Sequence, residues 1–167
     1  VSLQLVESIQ ERLSSANSEW PRHMFTTADK QSVILVRRLA RAAKSQNVEF
    51  CFSSKEKFAE GSARFGGILF TRDMVIVGTL SSGEEYPPSG DVVMVPRSAI
   101  RSLTLHHVEY FGYDDDGSEP DYVSFTAEYD GMPPVHIGMP GKGGPLDGST
   151  SQLFDALQAD LLKAIQR

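Results

Sequence analysis

Apolar positions at Leu3, Val6, Ile9 and Leu13 recur at helical spacing with Glu7, Glu11 and Arg12 between them, which predicts an amphipathic helix of about four turns ending near Asn17. Trp20-Pro21 interrupts that pattern, because proline disfavours helical geometry in the residue before it. A second helix is predicted over about 27–46, with Thr26 or Thr27 placed to accept from the first-turn N–H groups and Asp29 suited to the helix dipole. Its apolar face is Leu35, Val36, Leu39, Ala40, Ala42 and Ala43; Lys30, Arg37, Arg41 and Lys44 lie opposite, with Arg38 beside them.

After Asn47 the period changes from helical to alternating. Val48 to Phe52 alternates as a strand, and the polar stretch from Ser53 to Arg64 reads as a connection. Two apolar runs, Phe65 to Phe70 and Met74 to Leu80, are joined by a tight Thr71-Arg72-Asp73 turn. Beyond a Gly/Pro-rich loop, strands are predicted near 91–95 and 99–109. Another runs from Tyr122 to Tyr129 and turns at Asp130-Gly131 into Val135 to Gly138. Ser149, with Gln152 three residues on, offers a capping box for a last helix whose apolar stripe is Leu153, Phe154, Leu157, Leu161 and Ile165. The fold class expected is α+β, with seven antiparallel strands and a C-terminal helix preceded by two N-terminal helices.

The hairpin at 65–80, the proline at Pro96 and the strand opening Ile100-Arg101-Ser102-Leu103 resemble the strand succession of pleckstrin-homology-like and GRAM-type domains. Seven strands followed by one amphipathic helix is that superfold's element order, and the resemblance covers about Val48 to Ile165. It implies a seven-stranded antiparallel partial barrel closed by the C-terminal helix, so that 1–46 is a helical extension and 47–167 the pleckstrin-homology-like domain. Eukaryotic members usually carry a tryptophan in the terminal helix, whereas the sole tryptophan here is Trp20. The resemblance further implies recognition of a lipid headgroup, a peptide or a protein. Its phosphoinositide signature is Lys/Arg on the first two strands and their connection, where several donors converge on phosphates. Lys55, Lys57 and Arg64 fall there, with Glu56 and Glu60 among them.

Charge sharpens this picture. Residues 1–70 carry 10 Lys/Arg against 7 Asp/Glu and residues 71–167 carry 6 against 15, so the halves differ in sign within a net charge of -6. The acidic total disfavours a nucleic-acid binder. The opposite signs admit a homo-oligomer, and the basic face of the second helix suits a protein partner or an anionic membrane surface. One cysteine, Cys51, cannot close an intramolecular disulfide, and no run approaches the ~18 apolar residues of a membrane span, so a cytoplasmic protein is expected.

Candidate chemistry is sparse. The 114–121 loop holds Asp114, Asp115 and Asp116 but lacks the alternating spacing of an EF-hand. His106 and His107 point to opposite faces of an undistorted strand, so they do not chelate together, and no metal centre or other cofactor is expected. Gly141-Lys142-Gly143-Gly144 lacks the Ser/Thr of a phosphate loop, and no serine sits in a nucleophile elbow. The expected function is therefore a non-catalytic binding or adaptor module for a protein partner. One alternative is peripheral binding to anionic lipid headgroups. Another is an enzyme with a site near His106, His136 and the Asp114 to Asp116 loop.

Overall fold

A computed structural model describes residues 2–21, 31–58, 61–81, 89–109, 122–138 and 148–167, together with the helical backbone of Lys30. The architecture is α+β: helices α1 (Leu3–Ala16), α2 (Lys30–Ala43) and α3 (Ser149–Ile165), and strands β1 (Val48–Lys57), β2 (Ala63–Thr71), β3 (Met74–Ser81), β4 (Val92–Pro96), β5 (Ile100–Glu109), β6 (Tyr122–Tyr129) and β7 (Val135–Ile137). The strands form two antiparallel sheets, ordered β1-β2-β3-β4 and β5-β6-β7. By its contacts the chain divides into Val1–Met94 and Val95–Arg167.

In the first unit both N-terminal helices cover the sheet. α1 begins where Ser2 accepts from the Leu5 N–H at 3.2 Å and ends with Asn17 extended, as its apolar period predicts. Its buried Val6, Ile9 and Leu13 join Leu35, Val36, Leu39, Ala40 and Ala43 of α2 and Phe65, Leu69, Ile76 and Leu80 of β2 and β3 in one core. Fully burying each of these larger side chains contributes roughly 1.5–3 kcal/mol. The close approach depends on a cross-strand glycine pair, Gly67 opposite Gly78. A Cβ at Gly78 would stand 2.8 Å from Leu35 and 2.9 Å from Leu39, and one at Gly67 would stand 2.6 Å from Leu39.

Polar bonds then fix α1 on β1. Arg12 donates to the carbonyls of Val48 and Glu49, Ser53 Oγ donates to the Leu13 carbonyl at 2.5 Å, and Asn17 donates to the Ser53 carbonyl at 3.2 Å. Trp20 donates to Gln10 Oε1 at 3.3 Å while Gln10 donates to the Pro21 carbonyl at 2.5 Å, so the buried indole and amide satisfy each other. The indole meets Phe65 edge-on at 5.5 Å, which places Phe65 in the core.

In the second unit β6 is central and buried along nearly its whole length. α3 packs on β5 and β6 through Leu153 and Leu157, both fully buried, and through Phe154, which meets Phe125 at 5.3 Å. Thr150 Oγ1 accepts from the buried Val123 N–H at 3.0 Å. Two sequence expectations need correcting here. The N-cap of α3 is Gly148, at φ 79°, and Ser149 is already helical, so the Ser149–Gln152 box does not cap it. The apolar stripe also outruns the core, for Ile165 is 72% exposed.

Candidate functional site

The eight basic positions singled out from the sequence divide by environment. On α2, Arg37, Arg41 and, just past its end, Lys44 are exposed, while Arg38 is partly buried and donates to the Gly90 carbonyl at 3.0 Å. The side chain of Lys30 lies outside the described residues. On the β1–β2 hairpin the Lys55 ammonium stands 5.3 Å from the Phe65 ring centre, and the Arg64 guanidinium 5.9 Å from that of Phe58. Lys57 is exposed, and Phe58 beside it is 43% exposed. Arg38, Lys55 and Arg64 thus each make a specific contact, whereas Arg37 and Arg41 form the outward face that the helical wheel assigns them.

The second unit holds a polar arrangement that strand alternation does not predict. Thr126 on β6 lies directly opposite His136 on β7, and its hydroxyl is 2.8 Å from His136 Nδ1. The same hydroxyl is 2.7 Å from Nε2 of His106 on β5. Thr126 is 8% exposed, and both histidines are exposed. The register of β5 shifts between Leu105 and His107, and this bulge at His106 re-aims a side chain that a regular strand would place differently. The hydroxyl has one proton to donate and two lone pairs to accept with, so it serves both ring nitrogens at once. His107 stands apart, 3.7 Å from Glu109.

β5 is also an edge strand, and no described strand pairs with its outer side. Thr104, Leu105, His106 and His107 are all exposed, so both faces of its middle are open to solvent. Leu105 is 48% exposed, and α3, which packs on β5, leaves Leu162 60% exposed. The sequence reading missed this surface, since an edge is defined by pairing partners and not by the strand's own residues.

Among the described residues no group of three or more His, Cys, Asp and Glu could hold a metal ion, and no helix is long and apolar enough to cross a membrane. Asp114, Asp116 and the Gly141 to Gly144 segment lie outside the described residues. Cys51, partly buried against the core of the first unit, is pushed up to about 12 by burial, against the opposing pull of the Arg12 guanidinium. Such a thiol is a poor nucleophile. At pH 8 a thiol-directed disulfide reagent is expected to leave Cys51 unmodified in the native protein and to react promptly in denaturant. Rapid native labelling would contradict its burial. A protonated native thiol binds its proton more tightly than the unfolded chain, so its stabilising contribution is complete below the ordinary value of 9.0 and is lost as pH rises towards about 12.

The chain matches no protein-family model, no curated protein and no solved structure.

Proposed function

We propose that this protein is a non-catalytic binding module of pleckstrin-homology-like architecture that takes an extended segment of a protein partner along the outer edge of β5. The observation that carries the reading is the open middle of a ten-residue edge strand, exposed on both faces from Thr104 to His107. Unpaired N–H and C=O groups on such an edge give an incoming strand its affinity, and side chains on alternate positions give it specificity. Leu105 offers an apolar anchor on the strand itself. The succession of a four-stranded sheet, a three-stranded sheet and a final helix supports the pleckstrin-homology-like reading.

A display library of extended peptides, with backbone amide shifts as the readout, tests this. A selected peptide is expected to perturb β5 amides first, to lose at least tenfold in affinity to a Leu105→Asp variant of unchanged melting, and to fail when its central residue is N-methylated. Perturbations confined to other elements would refute the edge as the site.

The competing reading, a lipid-headgroup surface, is favoured by one feature: exposed Lys57 and Phe58 at the β1–β2 connection, with Arg64 stacked near Phe58. Salt-sensitive co-sedimentation with anionic vesicles, abolished by Lys57→Glu with Phe58→Ser, would establish that reading in place of the first.

A further inference from the structure

We infer, resting on the reading of β5 as the binding edge, that its occupant is β5 of a second copy of this chain, joined antiparallel about a two-fold axis beside Leu105. The ladder of β5 on β6 is symmetric about that residue. Leu105 stands opposite Phe125, while Ser102 stands opposite Glu128 and Glu109 opposite Tyr122, three rungs away on either side, because the bulge at His106 absorbs one residue. A copy running the other way therefore sets Leu105 against Leu105, Leu103 against Val108 and Thr104 against His107. Leu103, Leu105 and Val108 share the sheet face of their β6 partners Ala127, Phe125 and Val123, all buried, so pairing adds three apolar rungs to that face.

Charge selects the antiparallel direction. Arg101, in the bulge beside Ser102, then meets Glu109 of the second copy, and the two-fold repeats that meeting at the other end. A parallel copy in register would set Arg101 against Arg101 and Glu109 against Glu109, which is destabilising. Both charges can re-pair at small cost. Arg101 meets Asp130 at 3.3 Å with side chains 67% and 71% exposed, and Glu109 meets His107 at 3.7 Å with side chains 48% and 49% exposed. The joined sheet runs β7-β6-β5-β5-β6-β7, so a ten-residue open edge disappears and a three-residue strand, too short to recruit another chain, lies at each end. One strand pair is smaller than a standard interface of about 1,600 Å², so the dimer forms in the micromolar range.

Sedimentation equilibrium of the full chain, from a few micromolar to several hundred micromolar, tests this, with amide exchange as the second readout. A monomer–dimer equilibrium is expected, with β5 amides gaining protection as the dimer fills. Arg101→Glu and Glu109→Arg should each weaken self-association at least fivefold, since each brings like charges together twice per dimer. Mixing the two variants should restore association, because the mixed dimer pairs opposite charges at both ends, and a loss caused by altered folding of either chain would not be rescued in this way. Both side chains are well exposed, so unchanged melting curves are expected. A monomer throughout the range, protection confined to other elements, or no restoration on mixing would overturn the inference. If the chain is monomeric, selected peptides that still shift β5 amides assign the edge to another protein's segment, whereas peptides that leave β5 unperturbed remove the edge reading as well.

Discussion

Leu157→Asp is expected to unfold the Val95–Arg167 unit. Leu157 has no exposed surface and sits on the face of α3 that packs on β5 and β6, one turn beyond the equally buried Leu153. The substitution removes a leucine's worth of burial, about 2–5 kcal/mol when truncated to a small residue, and adds the cost of desolvating a carboxylate. Against a total stability of about 5–15 kcal/mol for a typical domain, that is enough to abolish cooperative folding. Helix propensity accounts for little of this, since aspartate in place of leucine costs about 0.5 kcal/mol in a helix interior. Leu162→Asp isolates the burial term: the same change on the same helix, at a side chain 60% exposed, should alter stability by less than about 1 kcal/mol. Urea denaturation followed by circular dichroism and by amide spectra of β5 to β7 distinguishes the two variants. Equal midpoints for Leu157→Asp and the unmodified protein would remove α3 from the core.

The elements themselves were legible because each carries its own period. The spacing of Leu3, Val6, Ile9 and Leu13 marks α1 to within a residue of its end, and the apolar runs around Thr71-Arg72-Asp73 mark β2 and β3. What period cannot convey is which face meets what. The change of period after Asn47 suggests a boundary at 46/47, whereas packing groups α1 and α2 with the strands up to Met94, since Gly67 and Gly78 clear the space those helices occupy. Phe65 is equally ambiguous in sequence, and only its contact with Trp20, forty-five positions earlier, makes it core. The convergence of His106 and His136 on Thr126 was hidden for a sharper reason. It depends on a bulge in β5, and one inserted residue redirects a side chain without leaving any mark in the hydrophobic pattern. The Gly148 cap shows the reverse error: a good local signal at Ser149 yielded to a glycine already in the left-handed conformation.

Breaking the ion pair between Arg97 and Asp160 should cost more than deleting it. Arg97 Nε donates to Asp160 Oδ2 at 2.8 Å, with side chains 9% and 17% exposed, and the pair ties the short 3-10 turn Arg97–Ala99 to α3. Tyr129 belongs to the same group. Burial raises its pKa above the ordinary phenolic value, the Asp160 carboxylate adds to the rise, and the Arg97 guanidinium opposes it. Asp160→Leu therefore removes the carboxylate that Arg97 Nε faces at 2.8 Å, and Arg97→Met removes the cation from that carboxylate, each at a cost of up to about 3–5 kcal/mol. The double variant removes both charges together and is expected to recover part of the loss, giving a coupling energy of about 2 kcal/mol in the thermodynamic cycle. The phenol supplies an independent check. A raised phenolic pKa stabilises the native state fully below the unfolded value of 10.0, and that contribution is lost as pH rises through the native value. Asp160→Leu removes one of the two effects that raise Tyr129, so the alkaline decline should be shallower in this variant than in the unmodified protein. Additive single-variant losses would mean that the two charges are stabilised separately, and an unchanged alkaline limb would detach Tyr129 from the pair.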